Sequence, residues 1–390
     1  MDSLKRISIF DTTLRDGEAA PGNSMTWKQK VEIALELEAL GVDVIEPGFP
    51  ASSELDYQVA KELSSLLRSS RINLFCRSSR SDIDIGLDAM QGGAAYQAQI
   101  LTVGSDIHLE HKRRMTRREA IAEAADAVAY ARQRGIQEIS VAPEDCTRGD
   151  HEYLRQLTEA CMEAGATMVG IPDTVGAALP HEYADLVRSF RQWIGPSARI
   201  GVHCHDDMGL AVANALAGIE AGAVEVQATL CGIGERAGNT ALEELVAVLA
   251  YKRERFQASC GINERMLFQT ATRLAQEIRL PLTRHKSVIG DNVFATEAGM
   301  HQAGLLRNPI TYEFLEPERF GRQRTIYIGR HSGRTVIKHR LASQGVAVRD
   351  DLVDQIYQRV CNTKEPNRHY TDQDLLEAYR ELEGAGVAVG

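Results

Sequence analysis

The sequence predicts an α/β protein: a (β/α)8 barrel of the TIM type followed by small, mainly helical C-terminal subdomains. Three observations predict it. Apolar, strand-like runs alternate with amphipathic helical stretches at a spacing of roughly 30 residues, the rhythm of parallel βα units. Eight such runs occur before residue 232, enough to close a barrel. The charged and Gly-rich motifs follow the strands, which places them at the C-terminal face where barrel active sites lie. A G-x-G-x-x-G after the first strand, the mark of an open dinucleotide-binding sheet, is absent.

Strands are read at 7–13, 43–49, 72–77, 96–103, 138–144, 168–174, 199–205 and 224–231. Between them, 27–40 carries Val31, Ala34, Leu35 and Leu37 at helical spacing and stops at Gly41. The Ala-rich stretch 118–134 stops at Gly135, 153–163 ends before Gly165, and 210–220 ends before Gly222. Beyond about Phe256 the alternation ends. A helix at 265–279 is broken by Pro281, and 283–330 reads as loop-rich and charged. Helices follow at 334–341, 350–361 and 372–383, and the Gly- and Ala-rich end, 384–390, reads as a disordered tail.

The net charge of -10 excludes the basic footprint of a nucleic-acid binder. The short basic runs His111-Lys112-Arg113-Arg114 and Arg117-Arg118 read as a solvated helix face or as a site for an anion such as a coenzyme phosphate. Seven cysteines without a CxxC pair argue against a disulfide framework or zinc knuckle and for a reducing compartment. The N-terminal residues lead into a strand without a signal-peptide apolar region, and no apolar run approaches membrane-spanning length. A cytoplasmic enzyme without nucleic-acid or membrane partners is the expectation.

Two strand ends carry the chemistry. Asp11-Thr12-Thr13-Leu14-Arg15-Asp16-Gly17-Glu18 closes the first strand and offers a metal ligand, Asp16, beside a permanent cation, Arg15. His203-Cys204-His205-Asp206-Asp207 closes the seventh. Its histidines are two apart on a strand and so face one way, as a partial metal site or as hydrogen-bonded core histidines. Asp206 and Asp207 also suit N-cap positions. Asn239, in Gly234-Glu235-Arg236-Ala237-Gly238-Asn239, offers a neutral oxygen. This mixed N/O set suits Mg²⁺, Mn²⁺ or Zn²⁺. Arg15 beside a metal can stabilise a forming alkoxide, or it pairs with Glu46 or Glu144; an orienting carboxylate serves both roles. Glu144 and Asp145, with Arg148 close by, end the fifth strand. Thr174 ends the sixth, where its hydroxyl suits a substrate carboxylate. Met300-His301-Gln302-Ala303-Gly304 lies outside the barrel, where a lone His is solvated unless the segment folds over a barrel mouth.

Together these motifs resemble the acyltransferase family of 2-isopropylmalate, homocitrate and citramalate synthases, over nearly the whole chain from Arg6 to about Leu341. The most specific parts are 11–18, 203–209, 232–239 with Leu242-Glu243-Glu244, and 299–302. The resemblance implies a catalytic barrel over 1–260, a linker and first subdomain over 261–325 that serves a partner's active site, and a helical second subdomain over 326–383, in a domain-swapped homodimer. It implies a divalent metal held by Asp16, His203, His205 and Asn239, with acetyl-CoA and a 2-oxo acid as substrates. Arg15 would meet the new alkoxide, Thr174 the carboxylate, and Glu144 with His301 from the partner chain would relay the methyl proton. The same fold family contains acyl-CoA lyases, an aldol-type alternative. A non-catalytic metabolite-binding relative is disfavoured by the intact Arg15, Asp16, His203 and His205.

Within the family, Phe75-Cys76-Arg77, Ser105-Asp106-Ile107-His108 with Lys112, and Ile328-Gly329-Arg330-His331-Ser332-Gly333 most resemble nitrogen-fixation-type homocitrate synthase. The chain shows no counterpart of the C-terminal regulatory domain of many isopropylmalate synthases, so leucine feedback is not expected. Ala303, Thr296-Glu297-Ala298, Pro172-Asp173-Thr174, Cys231 and Pro47 depart from the family pattern. These changes crowd the acceptor site and point to an unusual oxo acid. A dianion, 2-oxoglutarate or phosphonopyruvate, would suit Arg77, Arg80, His108 and Lys112 near the barrel mouth, with Arg148 a further substrate-binding candidate; the homocitrate-type acceptor is the leading expectation. Pyruvate or 2-oxoisovalerate would want an apolar pocket, which Phe49 and Phe75 could line.

Overall fold

The computed structural model describes residues 4–387. The chain divides into two compact units, Met1–Pro281 and Leu282–Gly390. The first is a closed, all-parallel barrel of eight strands. These are β1 (Ser8–Asp11), β2 (Val44–Ile45), β3 (Arg71–Arg77), β4 (Tyr96–Val103), β5 (Ile139–Glu144), β6 (Met168–Asp173), β7 (Arg199–Cys204) and β8 (Glu225–Ala228). Every expected strand is present, several trimmed at their ends. The barrel closes where β1 pairs with β8, from Ser8 opposite Glu225 to Asp11 opposite Ala228.

Eight helices ring the barrel: α1 (Trp27–Leu40), α2 (Glu54–Leu66), α3 (Arg80–Asp88), α4 (Arg117–Gln133), α5 (His151–Glu163), α6 (Pro180–Ile194), α7 (Ala211–Ala221) and α8 (Leu242–Tyr251). Strands covered on the outside by helices and filled within read as nearly continuous apolar runs, and β6 is buried at all six positions. Local chemistry sets the helix ends. Thr26 and Gln29 form a capping box on α1, and Thr116 and Glu119 do the same on α4. Gly41 ends α1 at φ 98°, and a Cβ there would lie 2.5 Å from the Gly261 carbonyl oxygen.

A further helix, α9 (Leu267–Glu277), belongs to the barrel unit. Arg273 pairs with Glu32 of α1 at 2.7 Å, and Gln29 Nε2 donates to Glu277 at 2.8 Å. These ties place 261–281 with the barrel rather than with the segment that follows.

The second unit contains α10 (Gly299–Arg307), α11 (Arg334–Ser343), α12 (Asp350–Cys361) and α13 (Asp372–Val387). Its core joins Val336, Ile337 and Leu341 to Leu352, Ile356, Val360, Leu375 and Tyr379. Helix α10 interrupts the stretch 283–330 that the sequence presents as loop-rich. Its two glycines and exposed Met300 mask the pattern, and buried Gln302 and Leu305 anchor it instead. Helix α13 continues through Val387, into the segment expected to be a tail; the remainder of that segment, 388–390, lies outside the described residues.

Candidate active site at the carboxyl end of the barrel

The turn after β1 is a wide helical turn, Thr13–Gly17, started by Thr12, whose Oγ1 accepts from the Asp16 backbone N–H at 3.2 Å. This geometry turns Asp16 inward. Asp11 anchors the same turn by accepting from the Thr13 N–H and hydroxyl, each at 2.9 Å. Burial pushes the Asp11 carboxyl up to about 7 against those two bonds.

Across the β1–β8 seam, β7 presents His203, and His205 follows directly. Their Nε2 atoms lie 3.1 Å apart and 3.5 and 3.8 Å from Asp16 Oδ2. Among the described residues, Asp16, His203 and His205 form a cluster whose ligand atoms all lie within 4.8 Å of one another. The loop after β8 folds back so that Asn239 pairs with His205 in an antiparallel bridge, and Asn239 Nδ2 donates to Asp16 Oδ1 at 3.2 Å. Gly234 makes room for it, since a Cβ there would lie 2.0 Å from Asn239 Nδ2.

The electrostatics favour a cation. Burial holds the His203 imidazole down to about 3 and lowers His205, so both are neutral ligands. Burial would raise the Asp16 carboxyl, but the Arg15 charge, helped by the Asn239 hydrogen bond, outweighs it and keeps the group well below the usual carboxylate range. Buried Nδ1 atoms of both histidines and Oδ1 of Asn239 have no hydrogen-bond partner among the described residues. Two neutral imidazoles, a carboxylate and a spare amide oxygen fit a divalent metal.

Arg15 stands beside this cluster. Its Nε donates to Glu46 Oε2 at 2.7 Å, one Nη donates to Asp16 Oδ2 at 3.0 Å, and its guanidinium lies 4.5 Å from the Phe75 ring centroid. Glu46 is fully buried and also accepts from Thr12 Oγ1 at 2.6 Å and Asn73 Nδ2 at 2.9 Å. Of the two acids expected to pair with Arg15, Glu46 is its partner.

A cavity of ≈ 130 Å³ opens over the cluster, and Arg15, Asp16, His203, His205, Glu144 and Thr174 all line it. Its floor comes from Gln99 on β4 and Gln227 on β8, which reach across the barrel and meet at 2.6 Å. Nothing in the sequence reading pointed to this bridge. The wall adds Phe75, Leu101, Ala142, Gly170 and Pro172. Thr174 Oγ1 accepts from the Asp145 N–H at 2.9 Å, which leaves its own proton free to donate. Glu144 holds Lys112 Nζ at 2.6 and 2.8 Å, with His108 Nδ1 3.6 Å away.

Three expected substrate contacts are not brought to the cavity. Arg77 closes a two-pronged pair with Asp82 at 2.7 and 3.0 Å. Arg148 does the same with Asp145, at 2.8 and 2.9 Å. His108 sits behind Glu144, within 3.8 Å of Asp145, and is not a wall residue. His301 belongs to the second unit, where its exposed ring stacks on Tyr312 at 4.0 Å between centroids.

A parallel eight-stranded barrel with a two-histidine, one-carboxylate cluster over its strand ends defines a barrel enzyme of the metal-binding type. The particular family follows from comparison with known proteins. The HMGL-like family model matches residues 6–276, and the homocitrate synthase post-HMGL domain-like model matches 288–368. The chain is 41% identical over 381 residues to the Ignicoccus hospitalis protein named "Probable 2-isopropylmalate synthase", covering 97% of this chain and 92% of that one. It is 37% identical over 390 residues to the 2-isopropylmalate synthase of Bacillus velezensis, covering 99% of this chain and 75% of that one. The chain belongs to the HMGL-like family, in its 2-isopropylmalate synthase group of acyltransferases. Solved structures share the fold: the Bacillus subtilis HMG-CoA lyase, with TM-score 0.62 and 19% identity, covers 72% of this chain and 97% of its own. The lyase from Brucella melitensis, with TM-score 0.59 and 18% identity, covers 71% and 100%.

Proposed function

We propose that the protein condenses acetyl-CoA with a 2-oxo acid whose side chain is short and uncharged, the reaction type of 2-isopropylmalate or citramalate synthase. One observation carries the choice of acceptor: Arg77 and Arg148 are tied to neighbouring carboxylates and do not reach the wall, and among the described residues Arg15 is the one arginine or lysine that lines the cavity. A second anionic group, as in 2-oxoglutarate or phosphonopyruvate, would meet neutral amides at Gln99 and Gln227. That argues against the homocitrate-type acceptor expected from the sequence.

In this reading Asp16, His203, His205 and Asn239 hold the divalent metal. When bound, the metal supplies Lewis acidity to the keto oxygen of the acceptor. Thr174 donates its free hydroxyl proton to the acceptor carboxylate. Arg15, fixed by Glu46, faces the oxygen that becomes an alkoxide and neutralises it without reorienting. Glu144 takes the methyl proton of acetyl-CoA, and the resulting enolate attacks the keto carbon. Lys112 and His108 hold Glu144 in place. His301 of a partner chain in a domain-swapped homodimer is the second group of the proton relay. Water then cleaves the thioester, giving CoA and a 2-substituted malate.

The test is free-thiol release from acetyl-CoA with 2-oxoisovalerate, pyruvate, 2-oxoglutarate and phosphonopyruvate, with and without EDTA. Turnover with an uncharged acceptor, lost in EDTA, is expected. Preference for either dianion would overturn the acceptor assignment, and cleavage of a 3-hydroxyacyl-CoA without thiol release from any acceptor would favour the lyase reading.

A further inference from the structure

The motif Ile328-Gly329-Arg330-His331-Ser332-Gly333 lies in the second unit, at the entrance to α11. Its backbone is held by buried polar groups. Ser332 Oγ accepts from the Gly329 N–H at 3.0 Å and from Gln302 Nε2 at 3.1 Å. Gln302 Nε2 also donates to the Tyr327 carbonyl at 2.6 Å, and the Gly333 N–H donates to Gln302 Oε1 at 3.4 Å. Gln302 is fully buried and Ser332 is 4% exposed. The loop also packs closely, since a Cβ on Gly329 would lie 2.7 Å from Glu297 Oε1. A loop held in this way fixes the backbone from which Arg330 and His331 project.

Both side chains line a cavity of ≈ 230 Å³ within the same unit, faced from the loop after α12 by Lys364 and Arg368. The two carboxylates of its wall are engaged. Glu297 accepts from the His331 N–H at 3.1 Å and lies 3.5 Å from His369 Nε2, while Glu365 holds Arg368 at 3.0 Å. Arg330 and Lys364 have no carboxylate partner among the described residues. That sets them apart from the lysines and arginines of α11 and α12. Arg334 pairs with Asp354, Lys338 with Asp350, Arg340 with Asp372 and Arg359 with Glu381.

We propose that this cavity is a binding site for a phosphoryl group, with Arg330 and Lys364 as its charged ligands and His331 as a further donor. Two exposed cations without carboxylate partners, lining one surface cavity, match a dianion better than a monocarboxylate. The Arg fork supplies paired donors and Lys a compact charge. The cavity is below the usual size of a drug-sized ligand site, which suits a phosphate with a few attached atoms. The phosphate could arrive on the coenzyme A moiety or on a free phosphorylated metabolite; the chemistry recognised is the same.

Calorimetry on the full chain at low ionic strength, with inorganic phosphate, ADP, CoA and dephospho-CoA as probes, tests the site. Saturable, salt-sensitive phosphate and ADP binding is expected, weakened roughly tenfold or more in the Arg330→Ala/Lys364→Ala variant. Lys364→Gln, in an exposed loop, serves as a second variant should the double one fail to fold. If the wild-type preference for CoA over dephospho-CoA disappears in the variant and KM for acetyl-CoA rises, the coenzyme is the source. If phosphate and ADP binding weaken while that KM stays put, a free metabolite is the source. No saturable binding by the wild type, or unchanged affinity in the folded variants, overturns the proposal.

Discussion

Glu46→Gln removes one charge while nearly preserving shape, and it tests whether Arg15 acts as an oriented cation. Glu46 is buried and accepts from Arg15, Thr12 and Asn73 at 2.7, 2.6 and 2.9 Å. A glutamine can keep its oxygen toward Arg15 and Thr12, but its NH2 then opposes the Asn73 amide, and the charge on the Arg15 contact is lost. A charge-assisted hydrogen bond contributes about 1.5–3 kcal/mol. Asp16, to which the guanidinium already donates at 3.0 Å, would then be its one charged partner among those two. If that energy is expressed in alkoxide stabilisation, kcat falls by roughly 10- to 100-fold. Affinity for the metal falls by less, because Asp16, His203 and His205 are untouched. The assay is thiol release under saturating acetyl-CoA and acceptor, with Mn²⁺ titrated calorimetrically on the same preparation. A folded, metal-loaded variant with kcat within about twofold of wild type would refute the role given to Glu46 and Arg15.

Arg15→Ala should still bind metal yet lose on the order of 10³-fold in kcat, as when an oxyanion donor is removed; near-normal turnover would take Arg15 out of the mechanism. Chelation should abolish activity and lower the melting temperature, with both restored by a divalent metal; a melting curve unmoved by EDTA would contradict a metal bound to the folded state. Glu225 is fully buried at the start of β8, and burial pushes its carboxyl up to about 7 from 4.5. Because the folded value is the higher one, its contribution is fully present below 4.5 and is lost as pH rises through about 7. Glu225→Gln should therefore change stability little near pH 4.5 and add at most about 3 kcal/mol at pH 8, read by urea denaturation. Equal stabilities at pH 8 would show that the charged form is compensated.

Much of the barrel was legible because its strands are buried on both faces and its helices carry ordinary caps; β4 and α1 fall where the apolar pattern puts them. The Asp16–His203–His205 cluster was legible for a similar reason: charged and imidazole side chains at strand ends are conspicuous against apolar runs. The occupation of Arg77 and Arg148 was not. Their captors, Asp82 and Asp145, lie nearby in sequence, but Arg148 closes on Asp145 across a turn in which Asp145 takes a left-handed conformation, φ 66°. The Gln99–Gln227 bridge was hidden because it joins strands on opposite sides of the barrel. Its one signal was polar residues at alternate strand positions, Gln97 and Gln99 on β4 and Glu225 and Gln227 on β8. Helix α10 stayed hidden because its burial depends on Gln302, a polar residue satisfied only once the 328–333 loop is folded.

The seam between β1 and β8 joins the first strand of the barrel to be made with the last, and the Asp16–His203–His205 cluster lies beside it. Asp16 follows the first strand and Asn239 the last, and the two touch at 3.2 Å. A nascent chain that has not yet emerged past residue 239 has only fragments of the centre. Under the proposed function, a metal ion would meet its full set of ligands only on a finished barrel, and would act as a clasp on the joint between its first and last strands.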